Sequence, residues 1–124
     1  MLLQLDFVVD TPIYKQIRDQ IVLGIANGRL IKGKKLPTIR ALANETGVNM
    51  MTVNKAYQVL KQEGYIKADR RGGTVVAGQM DMIPVEKMLA ELQLSAASAK
   101  LTGMPREDWL GLCGKAYDGL GGND

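Results

Sequence analysis

The sequence contains no histidine, which removes the commonest protein metal ligand and the usual general base near neutral pH. It also lacks a glycine-rich phosphate loop ending in Lys-Ser or Lys-Thr, and it lacks a GxSxG nucleophile elbow. These absences argue against the common hydrolytic and phosphoryl-transfer chemistries. We therefore expect a protein that is not an enzyme and that needs neither a metal nor a cofactor.

A single cysteine, Cys113, excludes an internal disulfide and is typical of a reducing compartment. No apolar run approaches the ~20 residues that a membrane span needs. The opening residues MLLQLDFVVD carry no basic charge and contain Asp6 and Asp10, which is unlike a signal peptide. We therefore expect a cytoplasmic protein with no membrane partner.

Positive charge is concentrated in the first part of the chain. Residues 1–78 hold 12 Lys or Arg against 6 Asp or Glu, whereas residues 79–124 hold 4 against 7. The two parts therefore carry net charges of +6 and −3, in a chain of +3 overall. A basic segment suits a polyanionic partner, and the acidic tail suits a different role.

The first segment predicts a short strand and then a helix. Leu3, Leu5 and Phe7 alternate with polar residues, which favours a strand. Thr11 followed by Pro12 is the pattern of an N-cap and a first helical residue. The helix that follows is expected to end at Asn27-Gly28, and its apolar positions are Ile13, Ile17, Ile21 and Ile25.

Two further helices are predicted after a basic loop that ends at Pro37. Thr38 can cap a helix that stops at Gly47, and Asn49 can cap the next one, which Gly64 ends. The inward-facing residues are Ile39, Leu42 and Ala43 in the first of these helices and Val53, Ala56, Tyr57 and Leu60 in the second.

The runs YIKAD and TVVAG then predict a β-hairpin with the basic tip RRGG. Three helices followed by such a hairpin form a winged helix-turn-helix domain, which we place at residues 1–78. Residues 79–124 hold two helical apolar stripes that the tail alone cannot bury, so we expect a two-helix dimerisation tail. The predicted fold class is mainly α with a small β-hairpin (α+β).

The turn between the second and third helices suggests contact with DNA. Ala43 permits close helix approach, Gly47 permits a positive φ and Val53 fills the crossing, which is a helix-turn-helix signature. The second helix of that motif enters the major groove by its N-terminal turns. We expect Asn54 to bind adenine and Lys55 to bind guanine or a phosphate. Further contacts to phosphate, sugar or base edges are expected from Arg40, Asn49 and Thr52.

Each of these positions also has a plainer structural interpretation. Asn49 could serve only as a helix cap, Lys55 as a solvated side chain and Arg40 as half of a surface ion pair. Met50 and Met51 are expected to lie in the core or to be partly exposed.

Residues 11–76 resemble the DNA-binding domain of the GntR family of bacterial transcription regulators. The shared motifs are PIYxQI, GRLxxGxxLPTxRxLA, GVNxxTVNKAYxxLxxEGYI and a wing that ends in GTVV. The resemblance implies operator contacts by Thr38, Arg40, Thr52, Asn54 and the wing glycines Gly72 and Gly73. The basic residues of the same tip, Arg70 and Arg71, are expected beside them.

The chain departs from the family pattern at two places. Asn54 stands where the family more often has arginine, which favours adenine readout or backbone contact over guanine readout. The wing has RRGGT where the family usually has RGRGT, so Arg71 is displaced by one position.

The short tail is similar to that of the YtrA subfamily, in which it serves for dimerisation. The resemblance implies a homodimeric transcription regulator that binds an inverted repeat in double-stranded DNA, and we expect a repressor. The residues expected at the dimer interface are Val85, Met88, Leu89, Leu92, Trp109, Leu112, Cys113 and Ala116.

One alternative is a winged-helix protein-interaction module without DNA readout. Such a module would have no need for a basic tip together with Arg40, Asn54 and Lys55 on one face. An unknown small-molecule effector could bind near Trp109 and Cys113. The alternative is that both residues belong to the core of the dimer.

Overall fold

The computed structural model describes residues 1, 3–78 and 84–120, and the chain divides into two compact units, Met1–Met80 and Asp81–Asp124. The first unit contains the helices α1 (Ile13–Ala26), α2 (Ile39–Thr46) and α3 (Met50–Gln62) and the strands β1 (Ile66–Ala68) and β2 (Thr74–Val76). The second contains α4 (Val85–Leu101) and α5 (Arg106–Leu120). Within the described ranges, no helix is long and apolar enough to cross a membrane.

The helix-turn-helix of α2 and α3 is formed by the predicted caps. The Thr38 hydroxyl oxygen accepts a hydrogen bond from the Ala41 amide at 3.0 Å, and this bond begins α2. Gly47 ends α2 with a φ of 75°, a left-handed conformation that costs glycine little. The Asn49 side-chain oxygen then accepts from the Thr52 amide at 2.8 Å and begins α3. Two residues therefore separate the end of one helix from the cap of the next.

The predicted N-cap of α1 is wrong by one residue. Pro12, not Thr11, occupies the N-cap position, and no side chain caps this end. The Pro12 carbonyl accepts from the amides of Lys15 and Gln16, both at 3.1 Å, so the first turn is closed by the backbone alone. The Thr11 carbonyl instead accepts from the side-chain amide of Gln16.

The strand predicted at Leu3, Leu5 and Phe7 does not form. The Gln4 amide donates to the side-chain oxygen of Gln20, and the Asp6 amide donates to that of Gln16, each at 2.8 Å. The neighbouring element is α1, whose backbone groups are already paired within the helix, so only side chains can satisfy this segment. Leu3 and Leu5 still pack against the core, whereas Phe7 is exposed.

The predicted hairpin is confirmed, with β1 and β2 antiparallel and Ile66 opposite Val76. Its turn is closed by the Gly72 amide, which donates to the Asp69 carbonyl at 3.0 Å. Gly72 and Gly73 both have positive φ, 100° and 80°, which explains why this tip needs two glycines.

A third segment pairs with the hairpin, although the sequence predicts only a basic loop there. The Gly33 amide donates to the Val76 carbonyl, and the Val76 amide donates to the Lys34 carbonyl, both at 2.9 Å. The Leu36 amide donates to the Thr74 carbonyl at 2.8 Å. The loop between α1 and α2 is thereby fastened to the wing, and the unit has the predicted winged helix-turn-helix architecture.

The core of the first unit is mainly aliphatic, with the aromatic ring of Tyr57 among its buried side chains. Its largest fully buried side chains come from all three helices and both strands: Ile17, Ile21, Leu42, Val53, Tyr57, Leu60, Ile66 and Val76. Tyr57 donates its hydroxyl proton to the Pro37 carbonyl at 2.7 Å, so its one polar group is satisfied. Burial raises the pKa of Tyr57 to about 12, and the nearby charge of Glu45 contributes to the same shift.

An ion pair fastens α1 to the C-terminal end of α3. The Arg18 guanidinium makes two hydrogen bonds to the Glu63 carboxylate, at 2.9 and 3.0 Å, and each side chain is about one-quarter exposed. Arg18 also bonds Asp19 at 2.9 Å and lies 5.5 Å from the centroid of the Tyr65 ring. The hydrogen bonds to Glu63 raise the pKa of Arg18 above its usual value, despite opposing desolvation.

The second unit is poor in buried side chains. Of its described residues, only Ala99 is buried. The break between α4 and α5 falls at Gly103, and the carbonyl of Pro105 accepts from the amides of Asp108 and Trp109 in the first turn of α5. The predicted tail starts at residue 79, in a stretch that lies outside the described residues, and α4 begins at Val85.

Candidate nucleic-acid interface

The exposed side of α3 is the centre of the candidate site. Val53, Ala56, Tyr57 and Leu60 form the buried side of this helix. Residues three and four positions apart share a helix face, so the opposite side is formed by Met51, Asn54, Lys55 and Gln58. All four are exposed. We call this set the α3 exposed face.

Asn54 and Lys55 lie on that face as expected, but Lys55 is not simply solvated. Its ammonium nitrogen lies 4.1 Å from the centroid of the Tyr14 ring on α1, which is a cation–π geometry. The Asn54 side chain is exposed, and no protein group within the described residues hydrogen-bonds to it. Its amide is therefore available to an external partner.

Asn49 and Thr52 stand beside the α3 exposed face, at the beginning of the helix. The Asn49 oxygen is engaged by the Thr52 amide, so the predicted capping role is present. Asn49 is exposed, and its side-chain NH₂ group is not used by this cap. Thr52 is half-buried, and its hydroxyl is the group that remains for a phosphate or sugar contact.

Thr38 and Arg40 are both exposed at the start of α2. The Thr38 hydroxyl is used as a cap. Arg40 forms no ion pair with any described residue, so the surface ion-pair interpretation gains no support from this part of the chain. A guanidinium without an internal partner can bind a phosphate or the edge of a guanine.

The wing tip carries Arg70 and Arg71 as the two central residues of its turn, and both are exposed. The Arg71 side chain is 89% exposed, and its guanidinium lies 3.7 Å from the Asp69 carboxylate. An ion pair this long and this exposed to solvent does not fix the position of the guanidinium. Gly72 and Gly73 shape the tip and bring the backbone to the surface.

Two groups in this region were missed by the sequence reasoning. Gln58 lies four residues after Asn54, and this spacing was the available signal for it. The lysines of the loop, Lys32, Lys34 and Lys35, are exposed beside the wing because that loop pairs with β2. Their basic character was visible in the sequence, but their place beside the wing was not.

The predicted dimerisation residues lie on α4 and α5. Four of them are on α4 and have large exposed fractions in this chain: Val85, Met88, Leu89 and Leu92. On α5, Trp109 and Cys113 are half-buried, whereas Leu112 and Ala116 are exposed. No group of three or more acidic or cysteine side chains within the described residues could hold a metal ion.

A three-helix unit with a hairpin wing, amide side chains along its third helix and cations at its tip has the architecture of a DNA-binding transcription regulator. The family model of "Bacterial regulatory proteins, gntR family" matches residues 13–76, which is more than half of the chain. The chain therefore belongs to the GntR family of bacterial regulators. This membership also identifies it as a transcription regulator and not an enzyme, as expected.

The similarity to known proteins extends beyond the first unit. The HTH-type transcriptional repressor YtrA of Bacillus subtilis is 34% identical over 118 residues, which cover 88% of this chain and 89% of YtrA. YtrA from Sulfolobus acidocaldarius, a GntR-family transcription factor, is 44% identical, covers 79% of this chain and 99% of its own, and has a TM-score of 0.66. The predicted similarity to YtrA is confirmed.

Two further solved structures are similar over different lengths. A transcriptional antiterminator from Listeria monocytogenes EGD-e is 27% identical, covers 100% of this chain and 96% of its own, and has a TM-score of 0.89. AraR(DBD), solved in complex with operator ORX1, is 28% identical, covers 62% of this chain and 96% of its own, and has a TM-score of 0.54.

Proposed function

We propose that this protein is a homodimeric transcriptional repressor that binds an inverted-repeat operator. The observation that carries the proposal is the cluster of exposed polar side chains at the head of the helix-turn-helix, above all Arg40 and Asn54. AraR(DBD), whose fold is similar, was solved with operator DNA. In a cytoplasmic chain of this kind, the natural partner is promoter DNA.

The proposed roles follow from the chemistry of each group. Asn54 binds adenine through its amide, and Arg40 binds guanine or a phosphate. Asn49 and Thr52 contact phosphate or sugar and fix the register of α3 in the major groove. The wing, with Arg70, Arg71, Gly72 and Gly73, lies along an adjacent groove or backbone, and Lys55 and Thr38 add phosphate contacts. Affinity should therefore fall steeply as salt rises.

The dimer is proposed from the second unit. Met88, Leu89 and Leu92 repeat along one side of α4 and are 48%, 50% and 44% exposed. A repeating apolar stripe of this kind is typical of a face that packs against another chain. A two-fold dimer would place two α3 helices in successive major-groove segments, ~34 Å apart, and so favours an inverted repeat.

The sign of regulation is proposed from the relatives. The YtrA of Bacillus subtilis, similar along 88% of this chain, is named a transcriptional repressor. Repression would follow from occupying promoter DNA. A small-molecule effector is not required by this mechanism.

Genomic fragments selected by the purified protein, followed by mobility-shift titration, test the proposal. Arg40→Ala should weaken operator binding by about 1–3 kcal/mol, because it removes a direct contact. Lys61→Ala is the matched control, since this exposed cation lies at the far end of α3 and its loss should change affinity little. Equal affinities of wild type and Arg40→Ala would contradict the assigned role.

The protein-interaction alternative makes the opposite prediction in the same experiment. A module without DNA readout would enrich no genomic sequence and would bind all duplexes alike. Sequence-selective enrichment would therefore exclude it.

A further inference from the structure

Met51 is the first residue of the α3 exposed face. It is 83% exposed, although methionine is normally among the more buried residue types. It lies in the first turn of α3, at the end of the helix that enters the groove in the proposed complex. Asn54 and Lys55 follow it by three and four residues, and Gln58 by seven, so all four project from the same side.

The same face is short of guanine-reading groups. Lys55 is the only cation between Met50 and Gln58, and its ammonium is held over the Tyr14 ring. The other three side chains are a thioether and two primary amides. Guanine is read mainly by Arg or Lys, whereas the amides of Asn and Gln match the N6 and N7 edge of adenine.

The remaining feature of an A·T pair in the major groove is the thymine 5-methyl group, which is read by apolar contact. A methionine side chain is apolar, unbranched and adaptable, and so can cover such a methyl without a strict geometry. Met51 and Asn54 lie about one helical turn apart on α3. An adenine bound by the Asn54 amide and a thymine near the Met51 thioether would therefore belong to neighbouring base pairs.

We infer that the α3 exposed face reads A·T base pairs, with Met51 contacting a thymine methyl group and Asn54 and Gln58 contacting adenines. This inference rests on the proposed function, since it assigns the specificity of the proposed DNA-binding helix. Guanine readout, where the operator requires it, falls to Arg40 on α2.

The test begins by selecting duplexes from a fully randomised library with the full-length protein. Each thymine of the selected half-site is then replaced in turn by deoxyuridine, which lacks only the 5-methyl group. At one thymine, wild-type affinity should fall by about fourfold, the value of one buried methyl-sized group. At that same position, Met51→Ala should lose less than about twofold, because the partner of the methyl is already gone.

Met51→Leu and Met51→Gln separate apolar contact from side-chain length. The leucine variant should keep the sensitivity to deoxyuridine, and the glutamine variant should lose it. Since Met51 is exposed, all three variants should fold as wild type, which far-UV circular dichroism checks. Gln58→Ala should relax the selected base at one adenine position while leaving the thymine effect unchanged.

The outcomes distinguish this inference from the proposal beneath it. Enrichment of a sequence whose binding is insensitive to deoxyuridine, or equally sensitive in wild type and Met51→Ala, would overturn the role of Met51. Half-sites in which α3 faces only G·C pairs would overturn A·T readout. Failure to enrich any sequence would instead overturn the proposed function itself.

Discussion

The ammonium nitrogen of Lys55 lies 4.1 Å from the centroid of the Tyr14 ring, and this contact joins the α3 exposed face to α1. Tyr14 is half-buried against the core, so its ring is a fixed support for a flexible lysine. The contact draws the charge of Lys55 toward α1 and leaves Met51, Asn54 and Gln58 as the uncharged part of the α3 exposed face.

We expect Tyr14 and Lys55 to be coupled in the free energy of unfolding by about 0.5–1 kcal/mol. Tyr14→Leu and Lys55→Gln, made singly and together, form a double-mutant cycle that urea unfolding can measure. Tyr14→Phe with the same lysine variant is the control, because phenylalanine keeps the ring face and should keep the coupling. Strictly additive effects of the leucine and glutamine variants would rule the contact out as an energetic link.

The ion pair between Arg18 and Glu63 should stabilise the first unit. Glu63→Gln should lower the free energy of unfolding by about 1–3 kcal/mol, because it replaces two charge-assisted hydrogen bonds in a partly buried site. Arg71→Ala, which breaks the exposed 3.7 Å contact to Asp69, should change it by less than about 0.5 kcal/mol. Equal losses in the two variants would show that burial and bidentate geometry do not matter here.

The buried phenol of Tyr57 predicts a loss of stability at alkaline pH. Its folded-state pKa is raised from 10.0 to about 12, so the unfolded chain releases the proton first. The stabilisation is fully present below about pH 10 and falls by about 1.4 kcal/mol per pH unit until about pH 12.

Tyr57→Phe isolates this effect from the other alkaline titrations. The variant loses the hydrogen bond to Pro37 and should be about 1–2 kcal/mol less stable than wild type at neutral pH. That difference should shrink above about pH 10, because only wild type carries the titrating phenol. A difference that stays constant up to pH 12 would mean that the hydroxyl is not held protonated by the fold.

The dimer proposal is tested by two matched variants in α4. Leu92→Glu places a charge on the apolar stripe and should weaken the dimer at least about tenfold in sedimentation equilibrium. Leu94 lies on the opposite side of the same helix and is 74% exposed, so Leu94→Glu should leave the assembly unchanged. If the Leu92→Glu variant dimerises as strongly as wild type, the interface lies elsewhere.

The local signals in the sequence were strong where short-range chemistry decides the structure. Thr38, Gly47 and Asn49 each occupy the predicted cap position, because a side-chain cap or a positive φ depends on only a few neighbouring residues. The apolar spacing of α3 likewise predicted its buried face in full. The residues at the tip of the wing were predicted for the same reason.

Apart from the N-cap of α1, the errors fall where a distant partner decides the structure. Leu3, Leu5 and Phe7 alternate like a strand, but the element beside them is a helix and offers only the side chains of Gln16 and Gln20. The loop from Gly33 to Leu36 has no strand-like pattern, yet it pairs with β2 because the fold brings that edge to it. Alternation alone cannot specify which element will lie alongside.

The sequence by itself determined the family, the helix-turn-helix and the identity of most of the candidate DNA-binding residues, since motifs and caps are local in the chain. Only the tertiary structure decided that the lysine-rich loop lies beside the wing, that Lys55 rests on Tyr14 and that Met51 stands exposed ahead of Asn54 and Gln58 on α3. These relations depend on contacts between residues far apart in sequence, which hydrophobic periodicity does not encode. Both sources contributed to the apolar stripe of α4. The sequence predicted its apolar pattern, and the structure showed that these side chains are exposed.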